Sequence, residues 1–183
     1  GVGSLKGSKH GGASGKVASM MADIKGNVSD WADEEEVADY LRKILLGQAY
    51  DGTGLIYGIG HAVYTLSDPR AVLLKEKARE LAVDKDHTKE FDLYLIIERL
   101  APQLFAEIKN STKPLAANVD FFSGFVYKLL NIPEDLYTPI FAVARIAGWS
   151  AHRIEELVSG GRIVRPAYKN VVPRQKYVSI KDR

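Results

Sequence analysis

The sequence predicts an all-α fold, and three observations lead to that prediction. Apolar side chains recur every three or four residues along most of the 183-residue chain, which is the spacing of one helix face. Helix start and stop signals bound these stretches. The alternation of apolar and polar residues that is typical of a strand is confined to Arg162–Arg165. We therefore expect a multi-helical protein with one short strand at most.

The first predicted helix covers Ala13–Ile24, where apolar residues share one face. The second helix follows the acidic run Asp33–Glu36, because negative charge stabilises a helix N-terminus. Gly47 is suited to end this helix, since glycine readily adopts the left-handed conformation found at helix C-termini. The apolar stripe of the second helix consists of Val37, Tyr40, Leu41, Ile44 and Leu45.

The third and fourth helices occupy the middle of the chain. Asp68 can cap the third helix, with Pro69 at its first position, where the missing N–H would be unpaired anyway. This helix should run to about Val83. The fourth covers Lys89–Lys109, and Pro102 either kinks it or divides it. Its expected buried residues are Phe91, Tyr94, Leu95, Leu100 and Leu104.

Two more helices are predicted at Val119–Leu130 and Pro139–Val158, separated by a turn at residues 131–138. Small side chains on the second of these helices permit close packing. The pair Gly160-Gly161 should end it. The tail Arg162–Arg183 is basic and irregular, with room for one short strand at its start.

Composition excludes several classes of function. The 25 Lys and Arg residues nearly balance 23 Asp and Glu residues, so the net charge of +2 gives no general attraction to nucleic acid. The absence of cysteine excludes disulfides, thiolate metal sites and thiol catalysis, and it fits a reducing compartment. No apolar run reaches the roughly 20 residues that cross a bilayer. We expect a cytoplasmic protein that binds neither nucleic acid nor membrane.

The beginning of the chain differs from a natural N-terminus. The chain opens on Gly1-Val2-Gly3 without methionine, and its first candidate catalytic segment lies within ten residues. Catalytic loops are uncommon at chain ends, which fray. We therefore expect that sequence upstream has been removed.

The first of three chemically distinctive segments is Lys6–Ala13, which carries His10 between glycines. Glycines let the backbone and the imidazole approach a ligand closely, and the helix that follows offers unpaired N–H donors. Two interpretations of His10 stay open at this point. It is either a catalytic residue or a loop histidine whose ring is hydrogen-bonded by the backbone.

The second segment, Gly58–Ala71, contains His61 and Arg70. The Gly58-x-Gly60 spacing completes neither the dinucleotide fingerprint nor the P-loop, and no strand clearly precedes it, so we reject a Rossmann fold. An imidazole beside a guanidinium suits a substrate with a polarised carbonyl next to a carboxylate. The alternative for Arg70 is a surface salt bridge.

The third segment, Asn118–Gly124, carries Asp120 beside two phenylalanines. Apolar neighbours desolvate a carboxylate and make it a better base for a carbon-bound proton. The alternative is that Asp120 caps a helix, although Asn118 fits that position equally well.

Metal binding is not predicted. The four histidines form no HxxxH or HxH pair, and the acidic cluster Glu34–Glu36 fits a solvated helix start. His87 is expected at the surface, and His152 is expected to be partly buried within a helix.

Taken together and in this order, the segments resemble the citrate synthase family. The similarity lies in LKGSKHGGA, YGIGHAVYTLSDPRA, NVDFFSGFVYKLLNIPEDLYTPIFAVARIAGW and RIVRPAYK. It covers nearly the whole chain. It implies a largely helical enzyme, usually a homodimer, that condenses oxaloacetate with acetyl-CoA to give citrate and CoA. The CoA thioester is a substrate, so no cofactor is expected.

The resemblance also implies roles for single residues. His10 would hydrogen-bond the acetyl carbonyl as it becomes an enolate, Asp120 would remove the methyl proton, and His61 would polarise the oxaloacetate carbonyl. The arginines that would hold substrate carboxylates are Arg70, Arg145 and, in the partner subunit's site, Arg165. The residues that would contact CoA are Leu55, Ile56, Tyr57, Gly58, Ile59, Gly60, Lys113 and Asn118.

Chains of that family are much longer than this one. By the resemblance, residues 1–130 form mostly the small, mobile, CoA-binding domain, and residues 131–183 form a C-terminal segment of the large domain. The N-terminal half of the large domain, which carries another oxaloacetate-binding histidine, is absent from this sequence. We expect the isolated chain to have little or no synthase activity.

Three alternatives stay open. The nearest is 2-methylcitrate synthase, which uses propionyl-CoA, because acyl pockets that differ by one methylene discriminate weakly. A second is a non-catalytic module that binds CoA or a carboxylate. The third is a helical interaction domain whose glycine loops are only connectors.

Overall fold

The computed structural model describes residues 1–6, 11–160, 163, 173 and 176–182. Six α-helices lie within these residues, and their bounds are α1 Ala13–Asn27, α2 Glu34–Leu45, α3 Pro69–Asp84, α4 Thr88–Lys109, α5 Val119–Leu129 and α6 Tyr137–Val158. Short 3-10 helices are Val2–Lys6, Glu134–Leu136 and Ile180–Asp182. The described residues contain no strand beyond an isolated antiparallel bridge between Ile59 and Ala117. The all-α prediction is confirmed.

The chain divides into two compact units, Gly1–Ile146 and Ala147–Arg183, with the boundary inside α6. The first unit contains the hydrophobic core described below. In the second unit the side chain of His152 is 83% exposed, so the prediction that it is partly buried is wrong. The predicted short strand at residues 162–165 lies outside the described residues except for Ile163.

The core of the first unit forms where the apolar faces of the helices meet. The larger buried apolar side chains of α1 and α2 are Val17, Met20, Met21, Ile24, Val37, Leu41, Ile44 and Leu45. An aromatic cluster joins α4 to α5 and consists of Phe91, Tyr94, Phe121, Phe122 and Phe125. The ring of Tyr94 lies 5.3 Å from that of Phe121 and 5.0 Å from that of Phe125, centroid to centroid. Such contacts fix the start of α5, which carries Asp120.

The ends of the helices agree with the start and stop signals in the sequence. The side chain of Asp33 accepts hydrogen bonds from the backbone N–H groups of Glu35 and Glu36 at the start of α2. Asp68 accepts the N–H of Arg70 at the start of α3, with Pro69 at the first position, as predicted. Gly47 adopts a φ of +72° just past α2, in agreement with its predicted role.

Three features of the helices differ from the predictions. Helix α4 continues through Pro102, so the alternative that Pro102 divides it is wrong, and the alternative of a kink stays a prediction. Its predicted core residues Leu95 and Leu100 are only partly buried, whereas Phe91 and Leu104 are buried as expected. Helix α6 begins two residues earlier than predicted because a 3-10 turn leads directly into it. No described helix combines the length and the apolar composition that a membrane crossing requires.

Candidate active site

A cleft of about 380 Å³ lies among the starts of α1 and α3, one face of α5 and the first three turns of α6, within the first unit. It brings together four residues with predicted roles in catalysis or in oxaloacetate binding, namely His61, Arg70, Asp120 and Arg145. Asn118 and Gly11 also line it. His10 and Arg165 lie outside the described residues.

The second and third segments are held side by side by backbone hydrogen bonds. Gly60 donates its N–H to the carbonyl of Ala116 at 2.7 Å, and Asn118 donates its N–H to the carbonyl of Gly58 at 2.9 Å. The Asn118 side-chain amide donates to the Gly60 carbonyl at 2.8 Å. This pairing places the loop that leads to His61 against the residues that lead to Asp120.

Gly58 makes this close approach possible. Its φ is +84°, and a Cβ atom there would lie 2.9 Å from Cα of Phe121 and 2.8 Å from Cδ2 of the same residue. Only glycine combines that backbone conformation with the space available. The Gly58-x-Gly60 spacing therefore serves to pack the loop against α5.

Asn118 is the cap of α5, and Asp120 is not. The Asn118 side-chain oxygen accepts the N–H of Asp120 at 3.0 Å. The alternative that Asp120 caps the helix is wrong, because Asp120 is already the second helical residue. Its half-buried carboxylate lines the cleft. Burial, followed by the charge of Asp120, raises the pKa of the neighbouring Tyr127.

His61 has a defined tautomer. Its Nδ1 atom accepts hydrogen bonds from the backbone N–H groups of Val63 at 3.0 Å and Tyr64 at 3.1 Å. A nitrogen that accepts hydrogen bonds carries no proton, so this geometry assigns the ring proton to Nε2. The ring lies on Tyr64, with centroids 4.9 Å apart. His61 can therefore donate a hydrogen bond from Nε2 to a ligand in the cleft.

Arg70 is held beside His61 by Asp68. Arg70 donates from Nε to Oδ1 of Asp68 at 3.0 Å and from Nη2 to Oδ2 at 2.8 Å. These hydrogen bonds raise the pKa of Arg70 and keep the pKa of the Asp68 carboxyl below its usual range. The Arg70 Nη2 atom lies 3.5 Å from Nε2 of His61. Arg70 thus pairs with a buried carboxylate and not in the surface salt bridge of the alternative interpretation, and the ion pair orients a cleft residue.

Arg145 enters the cleft from α6. Its guanidinium lies 4.6 Å from the ring centroid of Phe141, one turn earlier on the same helix. A cation stacked in this way has a restricted orientation. Arg70 and Arg145 place two guanidinium groups around one cleft that also contains a neutral imidazole donor and a carboxylate. This arrangement suits a ligand with two carboxylates and a carbonyl.

The residues predicted to contact CoA lie apart from this cleft, except for Asn118. Leu55, Ile56 and Ile59 line a small apolar pocket of about 210 Å³ with residues of α4. Leu55 is half exposed, whereas Ile56 is buried. The hydroxyl of Tyr57 donates to Asp51 at 2.6 Å. Lys113 is exposed. Their role in CoA binding stays a prediction.

Several cleft residues have no motif of their own and were not predicted from the sequence. They are Ser14, Ser123, Tyr127, Tyr137 and Phe141. Helical spacing was the available signal, since Ser123 and Tyr127 follow Asp120 at three and seven residues, on the same face of α5. Metal ligation has no support within the described part of the chain, where no group of three histidine or carboxylate side chains could hold an ion.

Comparison with known proteins points to one family. A family model described as citrate synthase, C-terminal domain, matches residues 1–167. A citrate synthase of Synechocystis is 39% identical over 165 residues, which is 90% of this chain and 37% of that protein. A 2-methylcitrate synthase of Shewanella oneidensis is 35% identical over an alignment that covers all of this chain and 43% of that protein.

A solved structure agrees with these sequence matches. It is a ternary complex of citrate synthase from Thermoplasma acidophilum with carboxymethyl coenzyme A and oxaloacetate. It superposes with a TM-score of 0.66 and 33% identity over 98% of this chain and 44% of that chain. The chain therefore spans less than half the length of each of these relatives.

Proposed function

This chain belongs to the citrate synthase family, and we propose that it takes part in the condensation of oxaloacetate with acetyl-CoA to give citrate and CoA. One observation carries the proposal: His61, Arg70, Asp120 and Arg145 line a single cleft, with the Nε2 proton of His61 available to a ligand. The Thermoplasma relative was crystallised with oxaloacetate and a CoA analogue, which fits this choice of substrates.

The first chemical step would be removal of a proton from the acetyl methyl group. Asp120 accepts the proton, and the C–H electron pair forms the carbon–carbon double bond of an enolate. A thioester methyl is a weak carbon acid, so the charge that develops on the thioester oxygen needs a hydrogen-bond donor at the same moment. His10 would supply that donor, as the family resemblance implies.

The second step would join the two substrates. The enolate carbon attacks the ketone carbon of oxaloacetate, and the ketone C=O electron pair moves to oxygen. The Nε2–H group of His61 donates to that oxygen as its negative charge grows. Hydrolysis of the citryl thioester then releases citrate and free CoA. Arg70, Arg145 and the partner subunit's Arg165 would hold the carboxylates, because guanidinium groups bind carboxylates in a bidentate manner.

The CoA moiety would lie along the loop Leu55–Gly60, with Lys113 near its phosphates and Asn118 at the cleft. The apolar pocket beside Leu55 and Ile59 has the character that an adenine ring requires. Residues 1–130 would then act as the small mobile domain, and residues 131–183 as a C-terminal part of the large domain. Closure of such a domain keeps water from the enolate.

The chain would work as part of a longer, cytoplasmic, homodimeric polypeptide and be inactive alone. Among the described residues His61 is the one histidine that lines the cleft, whereas the family resemblance implies an additional oxaloacetate-binding histidine. The chain covers only 37–44% of the relatives it matches. The second candidate reaction is 2-methylcitrate synthesis from propionyl-CoA, which is favoured by the Shewanella relative. One methylene in an apolar pocket changes rates by roughly 10–200-fold.

The test is release of CoA thiol by the full gene product, meaning the longest polypeptide that the gene encodes, and by the 183-residue chain alone. We expect thiol release that depends on both oxaloacetate and acetyl-CoA from the full gene product only. No release from the full gene product would contradict the reaction. Comparable release by the chain alone would contradict its dependence on further sequence. A higher kcat/KM with propionyl-CoA would favour 2-methylcitrate synthesis.

A further inference from the structure

We propose that Asp68 is a positioning residue that orients Arg70 toward the substrate carboxylate and also fixes the start of α5, which carries Asp120. Asp68 itself does not line the substrate cleft. The inference rests on the proposed function only for the identity of the ligand.

The geometry of Asp68 is that of a carboxylate with all its hydrogen-bonding positions used. Its side chain is 1% exposed. Oδ1 accepts the backbone N–H and the Nε–H of Arg70, both at 3.0 Å. Oδ2 accepts Nη2–H of Arg70 at 2.8 Å and the backbone N–H of Val119 at 3.2 Å. Four donors from two distant parts of the chain therefore meet on one buried group.

The hydrogen bonds to Asp68 leave one defined edge of the Arg70 guanidinium available to a ligand. Because Nε and one hydrogen of Nη2 face Asp68, the Nη1 hydrogens and the second Nη2 hydrogen are the donors that remain. Arg70 lines the cleft and its side chain is 47% exposed, so these donors are accessible. An arginine without such a partner would sample many rotamers, and ordering it would reduce the affinity for a carboxylate.

The same carboxylate joins the N-termini of two helices. Asp68 caps α3 through the N–H of Arg70, and it also accepts the N–H of Val119, the first residue of α5. Both N–H groups are helix-terminal donors without an intrahelical acceptor. Since Asp120 follows Val119 directly, Asp68 sets the position of the base relative to the substrate-binding arginine.

An amide cannot replace this carboxylate. Asparagine has one oxygen and one NH₂ group, so in Asp68→Asn the NH₂ group would face the two donors on Oδ2, Arg70 Nη2–H and Val119 N–H, or the two on Oδ1, the backbone N–H and Nε–H of Arg70. In either orientation two donors would lose their acceptor. The expected result is a protein that folds but no longer holds the Arg70 guanidinium in place.

The first experiment measures oxaloacetate affinity by calorimetry in the full gene product. The variants are Asp68→Asn, Arg70→Ala and the double variant, with Glu90→Gln as the control because Glu90 is also a buried carboxylate but lies outside the cleft. We expect Asp68→Asn to raise the Kd about 10- to 100-fold, as for loss of a hydrogen bond to a charged group. It should have no further effect in the Arg70→Ala background, and Glu90→Gln should bind normally. Equal weakening in both backgrounds would overturn the proposal.

The second experiment needs no ligand. Hydrogen exchange of the Arg70 Nε–H is followed by NMR in the 183-residue chain, and the resonance is identified by its loss in Arg70→Ala. We expect this proton to be protected in the wild type and to exchange at least about tenfold faster in Asp68→Asn. An unprotected Arg70 Nε–H in the wild type would overturn the positioning role even if Asp68→Asn failed to fold. Protection without oxaloacetate binding would contradict the proposed function alone.

Discussion

Two buried carboxylates in the described part of the chain, Asp68 and Glu90, use similar chemistry for different purposes. Glu90 on α4 accepts hydrogen bonds from Lys25 of α1 at 2.5 Å and Lys128 of α5 at 2.6 Å. His87 Nδ1 lies 3.1 Å from Oε2 of Glu90, the oxygen that also accepts from Lys128. Glu90 therefore connects three helices without lining the substrate cleft, whereas the Arg70 that pairs with Asp68 is itself a cleft residue.

The difference lies in the partners. Lysine ammonium groups are point charges on flexible stems, so the Glu90 cluster stabilises the packing of helices without fixing a precise orientation. Arginine is planar, so a carboxylate that binds one edge determines where the other edge points. A buried carboxylate paired with lysines thus stabilises the fold, and one paired with a cleft arginine organises a binding site.

The largest effect is expected from Asp120→Asn, which tests whether the cleft is chemically active. We expect the condensation rate of the full gene product to fall by about 10²–10⁴-fold, the usual contribution of a general base. The variant should remain folded, because the side-chain cap of α5 is Asn118 and not Asp120. Thiol release and urea unfolding measure the two quantities. A variant that kept most of its activity would remove Asp120 from the mechanism.

Gly58→Ala tests whether the loop before His61 must pack tightly on α5. The new Cβ would meet the backbone of Phe121 at a positive φ, so we expect a loss of at least about 2 kcal/mol in unfolding free energy. Gly60→Ala is the matched control. It has a similar φ of +98°, but its nearest neighbour is the flexible end of Leu115 at 3.4 Å. Equal losses in the two variants would mean that close packing at Gly58 is unimportant.

Glu90→Gln tests whether the buried carboxylate that pairs with lysines stabilises the fold. It leaves Lys25 with a weaker acceptor in a mostly buried position, and we expect a loss of about 1–3 kcal/mol in unfolding free energy. Lys128 is 47% exposed, which keeps the loss below that of a fully buried pair. In the exposed pair between Lys77 and Glu80, solvent screens the attraction, so Glu80→Gln should cost much less stability than Glu90→Gln. Weakened oxaloacetate binding in Glu90→Gln would contradict the division of roles.

A smaller effect is expected from pH. The unfolding free energy that Glu90→Gln loses should itself depend on pH. Burial alone would raise the pKa of Glu90, but hydrogen bonds from Lys128 and Lys25 hold it below its usual range. A carboxyl whose folded pKa is below its unfolded value of about 4.3 stabilises the fold above that pH. The stabilisation disappears as the pH falls through the folded pKa. The stability difference between wild type and Glu90→Gln, measured by urea unfolding, should shrink below about pH 4; a constant difference would contradict this sign.

The sequence predicts the helices well because their apolar spacing and caps are local signals. Asp33, Asp68 and Asn118 each cap the helix that the pattern suggests. Glu90 shows the limit of local patterns. An acidic residue in the first turn of a helix is normally solvated, and its burial depends on lysines that lie 65 and 38 residues away in the chain.

Part of the candidate site was also predicted, because several of its residues lie in recognisable local segments. Segment motifs indicated His61, Arg70 and Asp120, and the family resemblance added Arg145. The second role of Asp68 could not be predicted, because its contact with Val119 spans 51 residues and depends on how α3 and α5 meet. Ser14 and Phe141 reach the cleft through helix packing alone.

The most direct test of the cleft as an oxaloacetate site is the ¹⁵N NMR spectrum of the His61 ring with and without oxaloacetate. Nδ1 accepts two backbone hydrogen bonds, so we expect a neutral ring with its proton on Nε2. Added oxaloacetate should shift the Nε2–H resonance, and Arg70→Ala should weaken that response. A proton on Nδ1, or an Nε2–H resonance unchanged at saturating oxaloacetate, would contradict the account.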